Sequence, residues 1–281
     1  MKLGIGTVQW GIDYGISNKS GMTSDIEINK IINSAYTNDI NLIDTAIQYG
    51  SAHKKIGRYC DKKLKIVTKL VADSKISIKK QLESSLLDLN RKNIYACLIH
   101  DSKYLMKDNN KWIELEAQKK SGKVKKIGYS LYMVNELKKI LDKGIVPDIV
   151  QVPYNCINRE FEKYFKILKN LSVEIHIRSV FYQGLFFLES NKVPENLSFF
   201  NKRIDDLKKI AENENLNLSE LALLFVNNNK YVDYFILGFD DASQLFEALE
   251  ILKKKKISAE TTRIINSMPE INNKLLNPSH W

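Results

Sequence analysis

Two hydrophobic rhythms alternate along the chain. Short, nearly unbroken apolar runs read as strands at Leu3–Gly6, Leu42–Asp44, Lys65–Thr68, Ala96–His100, Lys126–Tyr129, Ile149–Val152, Glu174–Arg178 and Tyr234–Leu237. Continuous apolar character without alternation is what strands covered on both faces of a parallel sheet require. Between them the apolar residues return at helical spacing. Ile28, Ile31, Ile32 and Ala35 form one stripe, and Ile78, Leu82, Leu86 and Leu89 form another. Ser24 with Glu27, and Asn217 with Glu220, have the spacing of capping boxes that open helices.

Eight strand–helix units of about thirty residues match a single-domain (β/α)8 TIM barrel over residues 1–281. An open doubly wound sheet is the structural alternative, but its G-x-G-x-x-G fingerprint is missing. "GIGTVQWG" offers Gly4, Gly6 and Gly11 at the wrong spacing. No Pro/Gly/Ser-rich linker divides the chain. The longest irregular stretch, "VFYQGLFFLESNKVPENLSFFNK", follows the seventh strand, which in a barrel places it over the active-site face.

Charge and cysteine usage narrow the class. The net charge is +10, yet only six of 43 basic residues are arginine. Lysine-rich, scattered charge argues for a solvated surface rather than a nucleic-acid groove. The run Lys253–Lys256 closes a helical pattern, where cations suit the helix dipole. Cys60, Cys97 and Cys156 are odd in number and widely spaced, which favours a reducing compartment. No signal-peptide pattern opens the chain, and the longest apolar run, "LALLFV", is too short to span a bilayer. The expectation is a cytoplasmic protein with no membrane or nucleic-acid partner.

The polar residues at the strand ends carry the chemistry. Asp44 ends the second strand and Tyr49 follows it; Lys69, His100, Ser130 and Gln151 end the third to sixth. In a barrel these positions converge on one rim. Each alone is commonplace: a strand-end Asp is often a helix cap, and a lone His is usually a satisfied polar residue. Together they suit one reaction. A phenol with a pKa near ~10 is a poor acid at neutral pH unless tuned. An ammonium such as Lys69, oriented by Asp44, would lower that value. His100 would hold a substrate carbonyl, and Tyr49 would protonate it. Carbonyl reduction also needs a hydride, which a cofactor must bring. A Schiff-base role for Lys69 is the competing chemistry, but a neighbouring Asp44 keeps the amine charged. His53, His100, His176 and His280 show no metal-ligand spacing with each other or the cysteines, so no metal is expected.

The segments "LGIGTVQWG", "IDTAIQYGSAHKKIG", "IVTKL", "LIHDS", "KIGYS", "VQVPYN", "SVFYQGLF" and "FILGFDDASQLFEAL" resemble the aldo-keto reductase superfamily nearly end to end. The resemblance implies a barrel enzyme that reduces an aldehyde or ketone with NADP or NAD. It makes Tyr49 the acid, Lys69 and Asp44 its tuning pair, and His100 the substrate orienter. It places Thr7, Ser130 and Gln151 at the cofactor, the last two against the nicotinamide carboxamide. An Asn often follows that Ser in the family; here it is Leu131. Arg178 replaces a stacking aromatic and would reach the diphosphate or stack by its guanidinium plane. Ser179, Gln183 and the amides of "YQGLF" would help hold the diphosphate. Gly238, Asp240 and Gln244 would lie at the adenosine end. No cation stands in that run, which leans toward NAD, although Asp240 and Asp241 also suit helix N-caps. Trp10 and Tyr14 would contact substrate, with core packing as the plain alternative. Phe181, Tyr182, Phe186 and Phe187 would line the mouth. Trp281 would either fold back over that mouth or be disordered. The N-terminal segment with "RSVFYQGLF" is similar to reductases of bacterial polysaccharide and nucleotide-sugar pathways, which implies a sugar or keto-sugar carbonyl. A monomer is the default for the fold. A cofactor-binding regulatory subunit serving a partner complex is the alternative from another class.

Overall fold

The strands form where the apolar runs predict them. They are β1 (Leu3–Gly6), β2 (Leu42–Asp44), β3 (Lys65–Leu70), β4 (Ile94–Ile99), β5 (Val124–Ser130), β6 (Ile149–Pro153), β7 (Glu174–Arg178) and β8 (Tyr234–Gly238). The computed structural model describes residues 1–16, 18, 20–73, 75–188 and 192–271. All eight strands are parallel and close into a barrel in chain order, with β8 pairing back onto β1. Trp281 and His280 lie outside the described residues. His100 sits one residue beyond β4, whose ladder with β5 begins earlier than expected at Ile94–Val124.

Local chemistry sets the helix starts. Ser24 accepts from the Glu27 backbone N–H and caps the helix Asp25–Thr37, which buries Ile28, Ile31, Ile32 and Ala35. Glu27 does not complete that box. Its carboxylate instead accepts from Lys30 Nζ and from the Ala242 backbone N–H at 2.9 Å, tying this helix to Ala242–Lys254. Asn217 and Glu220 do form a full capping box on the helix Leu218–Asn228. The stretch after β7 is not irregular throughout. It holds two 3-10 segments, Tyr182–Phe187 and Glu195–Phe200, before the helix Asn201–Asn213.

Two packed regions result. A small cluster of Leu42, Val67, Ala96, Leu98, Ile149 and Ile236 plugs the barrel. A larger one fills the space between strands and helices, so the barrel is a core, not a pore. The register also lines up Ser130, Gln151, His176 and Tyr234 as successive partners across β5 to β8.

One backbone crossing fixes the loop after β2. A Cβ on Gly11 would stand 1.8 Å from the Tyr49 carbonyl oxygen. Gly50 has φ +51°, and its Cβ would lie 2.2 Å from the Gly11 carbonyl oxygen. Only hydrogen fits between these two chains. Gly11→Ala is therefore expected to cost at least about 1–3 kcal/mol of stability, as overpacking does, and to displace Tyr49. Urea denaturation measures the first effect, and turnover in folded protein measures the second.

Candidate active site

Asp44 and Lys69 leave the adjacent strands β2 and β3, Gln151 leaves β6 across the barrel, and all three meet at the C-terminal rim. Lys69 Nζ donates to Asp44 Oδ1 at 2.5 Å and to the Thr45 carbonyl at 3.1 Å. Its side chain is 1% exposed and that of Asp44 is 6%. Gln151 Nε2 donates to the other carboxylate oxygen, Oδ2, at 2.8 Å. Both Asp44 oxygens are thus engaged, one by a cation and one by an amide. Thr7 joins the same corner through its hydroxyl, which donates to the Asp44 carbonyl at 3.0 Å.

Tyr49 stands over this pair, with Lys69 Nζ 5.2 Å from its ring centroid. Its loop is pinned by Tyr49 N–H donating to the Ala46 carbonyl and Ile47 N–H donating to the Lys69 carbonyl. The His100 ring meets Tyr49 edge-on at 5.9 Å. The expectation that Lys69 lowers the phenol pKa is not met in this structure. Burial first, and then the Asp44 charge, push Tyr49 above the ordinary tyrosine value; Arg178 opposes them only in part. Burial likewise pulls Lys69 down, against the pull of Asp44. The phenol is held protonated, the form a proton donor needs.

Two histidines near the rim are held neutral. Burial, with Lys69 and Arg178 adding, pulls His100 from 6.5 to about 3. Burial pulls His53, whose Nε2 meets the Thr68 hydroxyl at 2.9 Å, to about 4. Folding therefore favours the uncharged rings. The stability they contribute is complete above about pH 6.5 and is lost as pH falls toward 4 and then 3. Melting temperature is expected to drop on acidification from pH 7 to 4, and His53→Gln should flatten that drop.

Tyr49, Lys69, Asp44 and His100 open onto a cleft of about 740 Å³, within the usual range for small-molecule sites. Thr7, Gln151, Arg178, Ser179 and Gln183 line it further along, and Gly238, Asp240 and Gln244 line its far end. Tyr14 stands at the mouth. Four expected residues do not reach it: Tyr182 and Phe186 pack in the outer core while Phe181 and Phe187 line the cleft, and Trp10 and Ser130 are buried as well. Trp10 is 0% exposed and packs in the outer core, because it lies in a single helical turn, Val8–Gly11, that turns its ring inward. Ser130 is buried beside Gln151 at the end of β5, beneath the lining.

Arg178 does not project freely. Its guanidinium lies 4.2 Å from the Tyr132 ring centroid and donates to the Leu131 carbonyl at 3.1 Å. Leu131 thus contributes its backbone, which side-chain reasoning could not register. At the far end, Asp241 is the helix cap, accepting from Gln244 N–H. Asp240 is clasped by Gln244, whose Oε1 accepts from Asp240 N–H and whose Nε2 donates to Asp240 Oδ2. Sequence reasoning missed Gln9, Tyr132 and Glu247, which also line the cleft. Gln9 sits in the single turn Val8–Gly11, Tyr132 in a loop and Glu247 on a polar position of the helix Ala242–Lys254, and no hydrophobic period marks such positions as cleft-facing.

The cleft's unpaired atoms point to a ligand rich in donors. Gln9 Oε1, Gln151 Oε1 and Asp240 Oδ1 are buried acceptors without partners. A carboxamide NH2 and ribose hydroxyls are the donors a nicotinamide dinucleotide brings, so these residues fit that cofactor. Among the described lining residues the cations are Lys69 and Arg178 alone, and Asp240 and Glu247 flank the far end. No three His, Cys, Asp or Glu side chains among the described residues come together as a metal site. No helix among them is long and apolar enough to cross a membrane.

Known structures share this barrel. Aldo-keto reductase AKR11C1 from Bacillus halodurans, in its holo form, superposes with a TM-score of 0.77 and 20% identity, covering 94% of this chain and 91% of that one. Glycerol dehydrogenase AKR11B4 from Gluconobacter oxydans gives 0.73 and 20%, covering 94% and 90%. An uncharacterised oxidoreductase of Schizosaccharomyces pombe is 29% identical over 133 residues, which is 42% of this chain and 48% of that relative. The chain thus spans about half the length of that curated relative. The family model for the aldo/keto reductase family matches residues 2–270. This chain belongs to the aldo/keto reductase family.

Proposed function

We propose that the protein reduces an aldehyde or ketone to an alcohol at the rim formed by Tyr49, Lys69, Asp44 and His100. The observation that carries this reading is the buried Lys69–Asp44 pair against the Tyr49 ring, with the His100 ring edge-on beside it. A bound NADH or NADPH supplies the hydride. Gln151 would hold the carboxamide, Arg178 and Ser179 the diphosphate, and Asp240 the adenosine ribose. His100 donates to the substrate oxygen from its uncharged ring. Tyr49 gives its hydroxyl proton to that oxygen as negative charge develops there. Lys69 stabilises the phenolate left behind, and Asp44 keeps the ammonium charged and oriented.

The substrate we favour is a polyhydroxylated carbonyl compound, a sugar or keto-sugar. Tyr14, Phe181 and Phe187 ring the mouth with aromatic faces that suit the C–H faces of sugars, and one structural neighbour is named a glycerol dehydrogenase. The test follows absorbance of NADH and NADPH with a panel of aldehydes, ketones and keto-sugars. Oxidation with sugar carbonyls supports the reading; cofactor binding without turnover of any carbonyl overturns it.

The far end of the cleft favours NADH, because Asp240 and Glu247 would repel a 2′-phosphate. Asp240→Arg is expected to shift the ratio of NADPH to NADH affinity upward by roughly tenfold or more, as a guanidinium binds phosphate in place of a repelling carboxylate. Fluorescence titration with both reduced cofactors measures it.

A further inference from the structure

Ser130, Gln151, His176 and Tyr234 are successive register partners inside the barrel. Because barrel strands tilt, this polar row runs obliquely from the rim toward the opposite mouth. There the Tyr234 hydroxyl donates to Asn41 Oδ1 and accepts from Lys65 Nζ. In the middle of the row, Gln151 and His176 are both 0% exposed.

Each of these two side chains is fixed at one end and unpaired at the other. Asp44 Oδ2 can only accept, so Gln151 must present Nε2 to it, which leaves Oε1 facing away. Glu174 Oε1 lies 2.7 Å from His176 Nε2. Burial alone would raise the Glu174 carboxyl, but hydrogen bonds from His176, Lys126 and Tyr95 hold it down at about 2. It is a carboxylate, so Nε2 carries the proton that it accepts. His176 Nδ1 is then left over, and both Nδ1 and Gln151 Oε1 are buried without a partner. The two residues sit side by side on paired strands, about 4.8 Å apart at the backbone. A buried polar atom left unpaired costs about 1–3 kcal/mol, and internal water is the usual remedy where polar atoms share a space.

We propose that His176 is a positioning residue for Gln151, acting through one internal water that bridges His176 Nδ1 and one lone pair of Gln151 Oε1, the other lone pair staying open to a donor from the cleft. Glu174 holds His176, His176 holds the Gln151 amide, and that amide holds Asp44. The charged groups facing this chain are Glu174, Lys126 and Lys65 at the lower mouth and Asp44 and Lys69 at the rim; Tyr95 and Tyr234 pack against it. The connection matters for the reaction only through the reductase reading, where Gln151 and Asp44 serve cofactor and acid.

Two measurements test it. A high-resolution crystal structure is expected to show a water within hydrogen-bonding distance of both atoms; a dry gap there overturns the proposal whatever the protein catalyses. His176→Phe, which keeps a ring but removes both nitrogens, is expected to weaken NADH binding and lower kcat/KM about tenfold, the worth of one hydrogen bond. The double variant with Gln151→Leu should be no worse than Gln151→Leu alone, because both act on one contact. Additive losses, or wild-type kinetics in His176→Phe, overturn the proposal. His176→Asn, whose amide reaches the position of Nδ1, should restore most of the loss, and it serves if the Phe variant fails to fold. A wild-type protein that neither binds nicotinamide nucleotides nor reduces any carbonyl defeats the reductase reading instead, and the crystallographic water still decides the contact.

Discussion

Tyr49→Phe is expected to lower kcat by about 10²- to 10⁴-fold, the contribution of a positioned general acid. It deletes one oxygen and leaves the ring that packs edge-on to His100. The Lys69–Asp44 pair and the Gln151 contact do not involve that oxygen. NADH affinity should therefore stay within about threefold of wild type, since the loss belongs to the transition state and not to cofactor binding. Stopped-flow reduction with a reactive aldehyde, beside a fluorescence titration, separates the two. Retention of more than a tenth of the wild-type rate would assign the proton to another group, with His100 first in line. Burial already holds the phenol protonated, so its role rests on delivering a proton late, not on losing one early.

Lys69→Met is expected to cost about 3–5 kcal/mol of stability, because it strands a buried carboxylate whose other partner is a neutral amide. Turnover should fall with it. The informative variant is the pair Lys69→Met with Asp44→Asn. It removes both charges and keeps an acceptor for Gln151. Stability should recover most of the loss while turnover stays low. Urea midpoints and kcat measured on the three proteins separate the structural share of the pair from its chemical share. If the double variant is no more stable than Lys69→Met alone, the stranded charge is not the source of the cost.

The strands were legible because both faces of each are covered, so continuous apolar runs had no competing explanation. Their ends were less so: β5 starts at Val124, two residues before the expected Lys126, because the exposed Lys125 breaks the apolar pattern while Val124 still pairs with Ile94. Asp44, Lys69 and His100 were readable because barrel topology brings strand ends together whatever the loops do. Trp10 shows the limit. A tryptophan beside the first strand can face the cleft or the core, and which it does depends on a single helical turn that no period announces. The direction of the Tyr49 shift was also hidden. A sequence shows which charges are near in chain order, but desolvation depends on everything that packs around the hydroxyl. Likewise Asp44 was legible as a partner for Lys69, but its second oxygen found Gln151 from a residue 107 positions away.

The turn after β7 has a consequence for how this chain can be altered. Ser179, Tyr182 and Gln183 all hold left-handed backbone, with φ of 61°, 53° and 57°, ahead of Gly184. Side chains there carry a strain of roughly 1 kcal/mol or more each. Glycine would relax Ser179 or Gln183 and remove the hydroxyl or amide that each brings to the cleft. Random mutagenesis screened for heat resistance alone should therefore enrich glycine at 179 and 183, and screening for turnover should remove it. Thermal robustness and ligand grip compete for the same two positions.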